Sequence, residues 1–297
     1  ANTYSGGTTL SAGTLTLGSA GALSNSGTVN FVGGVLQYSS SNTTDYSGRF
    51  SLASNQQYSV DTNAQSVTWA SALTSSGGSL TKTGNGILTL TGANTYSSGT
   101  TISGGTLVVS GAGTIGSTSS ALNINAATLD VEKNLALQIS TLSMTGGASI
   151  AAGPGVSLSL SISGSAQLSG SVNTVGNQVY SGSVTLASDT TLTSTSGNIH
   201  FLDTVDAATN KLQSLSATAS AGNIIFAGSV GSSKKPNALS ATASSIYILA
   251  DIGTYGAQTY TGHSYIGDIT YLNPSTSASI GYLHGGSYDA YFVDQIN

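Results

Sequence analysis

The sequence holds no cysteine, three prolines and one methionine in 297 residues, and only 6% of its side chains are charged. Each shortage excludes something. Without cysteine the fold cannot rest on disulfides, and a chain of this length can bury enough surface to do without them. The charged fraction is far below the roughly 25% of an ordinary soluble domain. The six basic residues (Arg49, Lys82, Lys133, Lys211, Lys234 and Lys235) are too scattered to track a phosphate backbone, which argues against a nucleic-acid partner. No apolar run approaches the ~20 residues that a membrane-crossing helix needs, so no transmembrane segment is expected in this chain. No basic and apolar leader opens the sequence, so any export signal is expected to have been removed or to lie outside this chain.

Gly, Ser, Thr and Ala dominate instead. Such a mixture could be disordered, but disorder comes with high net charge and few β-branched residues. Here the net charge is −5, and Val, Ile, Leu and Thr recur at strand spacing. The chain reads as ordered and all-β. Its organising stretch is Ser79 to Val109, SLTKTGNGILTLTGANTYSSGTTISGGTLVV. Short runs such as LTL and TLVV alternate Thr with Leu, Ile or Val, the period of a half-buried strand, before glycine turns the chain. Strands this short cannot bury a core alone, so they must stack on one another. A partial copy, ANTYSGGTTLSAGTLTL, opens the chain 92 residues earlier than ANTYSSGTTISGGTLVV at Ala93.

LTKTGNGILTLTGANTYSSGTTISGGTL, over Leu80 to Leu107, resembles the autotransporter-associated β-strand repeat of bacterial surface-protein passenger regions, and Ala1 to Leu17 matches its second half. The resemblance implies a β-solenoid and export to the cell surface. It also gives the absence of cysteine a direction, since a chain crossing membranes unfolded has no disulfide to form prematurely. Because Ala1 falls in mid-repeat, the chain reads as a processed or excised piece of a longer protein.

Inward positions can be assigned along the chain. Leu15 and Leu17, Val29 and Phe31, Val67 and Trp69, then Leu135, Leu137 and Ile139, and Val156 to Ile162 all alternate with polar neighbours. Trp69, the single tryptophan, is expected to fill the core. From Asn177 the repeat type changes. NQVYSG returns as AQTYTG at Ala257, GNIHF at Gly197 as GNIIF at Gly222, and LSATAS at Leu215 again at Leu239. Spacings of 22 to 25 residues suit one coil of three short strands and three turns, and residues 177–272 resemble the repeats of filamentous-haemagglutinin-like adhesins. The expected fold is a right-handed parallel β-helix (β-solenoid) of about 12 coils, on the order of 60 Å long at ~4.8 Å per coil. Handedness comes from the resemblance and from the general preference of parallel crossovers. Residues 1–175 are expected to carry autotransporter-type repeats, and residues 176–297 haemagglutinin-like repeats continuing the same solenoid.

The sequence offers little for catalysis. Polysaccharide-cleaving β-helices need clustered carboxylates, and the nearest approach is Asp203 with Asp206, aligned one coil later with Gly228 and Gly231. His200, His263 and His284 lack metal-ligand spacing, and no cofactor is expected. Thr-x-Thr pairs at Thr14, Thr89 and Thr191 fit an ice-binding pattern locally, but the register is not maintained between them. Eight of the 14 tyrosines fall in the last 51 residues, and Tyr255, Tyr260, Tyr265, Tyr271, Tyr282 and Tyr288 form a candidate contact surface, since Tyr offers area with a polar tip. The expected function is a non-enzymatic, extracellular adhesin or passenger stalk meeting a host or neighbouring cell surface, protein or glycan. The competing expectation is a structural subunit that self-associates end to end into a filament.

Overall fold

The computed structural model describes residues 2–24 and 26–266, with the backbone of two further short strands, Leu283–His284 and Tyr291–Phe292. Parallel strands stack coil on coil into a β-solenoid of about 12 turns, as the pattern of short runs and glycines predicts. Contacts divide the chain into two compact units, residues 1–133 and 134–297. The change of repeat type near residue 175 lies inside the second unit, where pairing runs on in parallel from Leu160↔Gln178 to Gln178↔Ile199.

In the first unit one sheet stacks Thr14–Thr16, Val35–Gln37, Gln57–Asp61, Ser79–Thr83, Thr100–Ser103 and Leu122–Asn125. A second stacks Ser66–Trp69, Ile87–Leu90, Thr106–Val109 and Thr128–Val131. The alternation holds: Val67 and Trp69 are buried, while Ser66 and Thr68 face out. Leu17 is buried, Leu15 half-buried, and Thr14 and Thr16 exposed. Trp69 sits edge-on to Phe50 at 4.8 Å between ring centres, and Phe50 meets Phe31 at 4.9 Å. The indole N–H of Trp69 donates to the Tyr38 hydroxyl at 2.9 Å, so its one polar atom is satisfied within the core.

The ANTYS block has a local explanation. Asn94 donates through Nδ2 to the carbonyl of Thr114, 20 residues on, while the Tyr96 and Thr100 hydroxyls bond at 2.6 Å. Its earlier copy repeats both bonds, Asn2 to the carbonyl of Ala22 and Tyr4 with Thr8 at 2.9 Å. The block is a corner: the amide ties it to the following coil, and the tyrosine ties it to the strand it enters.

In the second unit each coil crosses three sheets. One contains Leu135–Ile139, Leu158–Ile162, Gln178–Tyr180, Ile199–Phe201 and the stretches 223–226, 245–248 and 263–266. The next runs through residues 142–143, 166–168, 184–186 and 205–207. The third runs through 149–150, 170–174, 190–194, 215–219, 239–243 and 258–261. Repeated blocks stack directly: Ile199 pairs with Ile224, and Leu215 with Leu239. Tyr180, Phe201 and Phe226 then form a continuous inner stack, with ring centres 5.3 and 5.2 Å apart. The Gly-Asn corners explain themselves too. A Cβ at Gly222 would collide with the carbonyl of Gly197, and one at Gly197 with the backbone of Gly176. Beside them the Asn177 side-chain oxygen accepts from the Asn198 amide and that of Asn198 from the Asn223 amide, both at 2.8 Å.

Candidate contact surfaces

The tyrosine surface expected near the C-terminal end is only partly realised. Tyr260 is fully buried, and its hydroxyl donates to Gln258 Oε1 at 3.0 Å. It is a core residue, because its strand enters the third sheet with Gln258 and Tyr260 facing inward. Gln178 and Tyr180 build the same pair at 2.9 Å, which accounts for the NQVYSG and AQTYTG blocks. Burial raises both phenols well above their ordinary range. Tyr255 is 47% exposed, with the Lys211 ammonium 4.3 Å above its ring, so one face already holds a cation of its own chain. Tyr265 is exposed and stacks on Tyr247 at 5.0 Å, nearly parallel. Tyr271, Tyr282 and Tyr288 lie outside the described residues.

Tyr247 and Tyr265 belong to an outward column that also holds Val179, His200 and Ile225, one residue per coil. His200 Nε2 is buried without a hydrogen-bond partner, and desolvation lowers the pKa of the ring. No group of three or more His, Asp or Glu side chains that could hold a metal comes together among the described residues. Asp206 accepts from the amides of Ser233 and Lys234 at 3.0 and 3.1 Å, which fixes the turn that inserts Lys234 and Lys235. Val205 pairs with Val230 and Val230 with Ile252, so Gly231 and Gly253 follow Asp206 in register and no ladder of acids forms there.

Lys82 is a residue that sequence reasoning counted only among the scattered basic side chains. It is completely buried. It occupies an inward column otherwise filled by Leu36, Val60, Ile102 and Ile124. Its ammonium donates to the carbonyls of Gly84 at 2.8 Å, Gly104 at 3.0 Å and Thr83 at 3.3 Å, and to the Thr62 hydroxyl at 3.2 Å. Those oxygens come from three successive coils. Burial brings its pKa down to about 8, with the Asp61 carboxylate pulling the other way. The signal was legible: in LTKTG, Lys82 stands two residues after the inward Leu80.

The outer face of the third sheet carries only hydroxyls in two columns over four successive coils. Thr191, Ser216, Ser240 and Thr259 lie in one column, and Thr193, Thr218, Thr242 and Thr261 in the next. A Ser/Thr-x-Thr pattern is thus kept over four coils of this unit, while Thr14 and Thr89 stand in two other sheets and share no register with Thr191. Between the first column and the parallel line of Asp189, Ser214 and Ala238 runs an open groove of about 240 Å³.

These geometries give the comparisons with known proteins their meaning. Residues 1–17 and 80–109 match the family model of the passenger-associated-transport-repeat. Both matched segments carry the passenger repeat. The match holds the ANTYS corners, the buried Lys82 and the strands Ser79–Thr83 to Thr106–Val109. The match is consistent with autotransporter passenger repeats and, coarsely, with a secreted or cell-surface protein. The haemagglutinin-like resemblance of the second half has no counterpart in this match. Curated proteins and solved structures return no match to the chain.

Proposed function

We propose that the chain is a non-enzymatic stalk segment of a bacterial surface adhesin, which holds a contact surface away from the cell and meets a host or neighbouring surface. The observation that carries this reading is the passenger repeat itself, whose motif residues are the ones that bind coil to coil. A stack of parallel coils is suited to the task, since each added coil extends the structure by one strand spacing with its backbone bonds already satisfied. The interruption of the Asp203–Asp206 pair by glycines in the following coils supports a role without catalysis. The test is binding of the labelled 297-residue chain to cell monolayers and to glycan-coated or protein-coated surfaces. Saturable binding is the expected result. Absence of binding to every surface, with end-joined filaments in electron micrographs, would overturn the adhesin reading in favour of a structural subunit.

A further inference from the structure

We propose that the third sheet of the second unit is a binding face for a neutral linear polysaccharide, which lies along the groove beside Thr191, Ser216, Ser240 and Thr259. The proposal rests on the adhesin reading and names the ligand class and the place of contact. Four features of the face select the ligand. The first is its chemistry: over the four coils from Thr191 to Thr259 the outward positions of both columns are hydroxyls, able both to donate and to accept, as sugar hydroxyls also do, and the run starts after Asn173 in the coil before.

The second is repetition. The hydroxyls recur once per coil, ~4.8 Å apart, over four coils, so a ligand with a repeating polar pattern meets equivalent partners at each step. The neighbouring sheet differs: there the outward column reads Ser143, Gln167, Thr185 and Asp206, changing at each rung. The third is charge. No basic side chain lines the groove, and the one carboxylate, Asp189, sits at its margin with Oδ1 accepting from the Ser214 amide at 2.8 Å. Polyanions therefore find no counter-charge. A protein partner would look for aromatic or Arg anchors, which the lining does not offer.

The fourth is shape. The face is an open groove lined on one side by Asp189, Ser214, Ala238 and Ala257 and on the other by the hydroxyl column, which suits a chain laid lengthwise better than the flat lattice of an ice surface. Three rung spacings give the groove a length of ~14 Å. Small inward residues lie beneath it, Ala217 and Ala219 in one rung paired with Ala241 and Ala243 in the next.

The experiment is affinity electrophoresis of the full chain through gels containing dextran or hydroxyethyl cellulose, with dextran sulfate as the charged comparison. Retardation by a neutral glucan, at least tenfold weaker in Ser216→Ala/Ser240→Ala and in Thr191→Val/Thr259→Val, is expected. Thr81→Val/Thr101→Val, on the first unit, should migrate as the parent does. Unchanged circular dichroism and melting establish that the variants fold. Failure of any neutral glucan to retard the parent, or equal retardation of the groove variants, overturns the proposal. Inhibition of ice recrystallisation that the groove variants lose, without glucan retardation, overturns it in favour of an ice surface. Cell-surface binding that survives in the groove variants would discard this groove and leave the adhesin reading standing.

Discussion

The two units repeat their sequence for different reasons. In the first, ANTYS recurs 92 residues apart, although stacked neighbours such as Leu80 and Thr100 are 20 apart. The copies do not touch; each solves the same corner with its own bonds. In the second, GNIHF and GNIIF lie one above the other and contact through Gly, Asn and aromatic side chains. NQVYSG and AQTYTG, also in the second unit, belong to the first kind, since each closes its own Gln–Tyr pair. Repetition at long spacing therefore marks a local motif, and repetition at coil spacing marks stacking.

The comparison can be broken at its strongest point in the first unit. Trp69→Ala removes the largest fully buried side chain and its bond to Tyr38, and should cost about 3–5 kcal/mol by denaturant unfolding. Lys82 supplies the next largest effect, and it depends on pH. Its folded pKa of about 8 lies below the ordinary 10.5, so the unfolded chain binds more protons in that window. Stability should thus rise as pH increases from 8 to 10.5, by up to about 3 kcal/mol. Buried tyrosines, whose phenols are held above the ordinary 10.0, oppose this at the alkaline end. Lys82→Met should abolish the rise between pH 8 and 10 in a series of melting curves; an unchanged slope would show that another group is responsible.

In the second unit, Gly222→Ala tests stacking directly. The added Cβ meets the backbone of Gly197, and the expected loss is about 1–3 kcal/mol, with faster amide exchange across residues 197–226. The smallest effect sharpens the corner argument. Tyr96→Phe leaves a fully buried site without its hydroxyl bond to Thr100 and should cost about 1 kcal/mol. Tyr4→Phe removes the same bond where the ring is 39% exposed, and water replaces it. Equal losses at the two positions would mean that the bond matters for the strand entry alone, independent of burial.

Much of this was legible in the sequence. Alternation placed Leu17, Phe31, Trp69 and Ile162 inward, and block spacing anticipated the pairing of Ile199 with Ile224. What escaped has physical causes. Lys82, Gln178 and Gln258 are polar residues at inward strand positions, and composition alone assigns such residues to solvent. The inward position of Lys82 was legible in LTKTG, but the carbonyls that satisfy these side chains come from neighbouring coils, which local patterning does not reveal. Tyr260 was read from its crowding with other tyrosines rather than from its place two residues after Gln258. The hydroxyl register was obscured because the offset between its paired rungs varies, from 25 residues at Thr191↔Ser216 to 19 at Ser240↔Thr259.

Register is the central claim, and the absence of native cysteine makes it simple to probe with spin labels. Nitroxides on Thr218→Cys and Thr242→Cys occupy adjacent rungs of one column, ~4.8 Å apart at the backbone. The account predicts strong dipolar broadening of the doubly labelled spectrum and weaker broadening for Thr193→Cys with Thr242→Cys, two rungs apart. A doubly labelled Thr218/Thr242 spectrum no broader than the sum of the single labels would contradict the stacked parallel register.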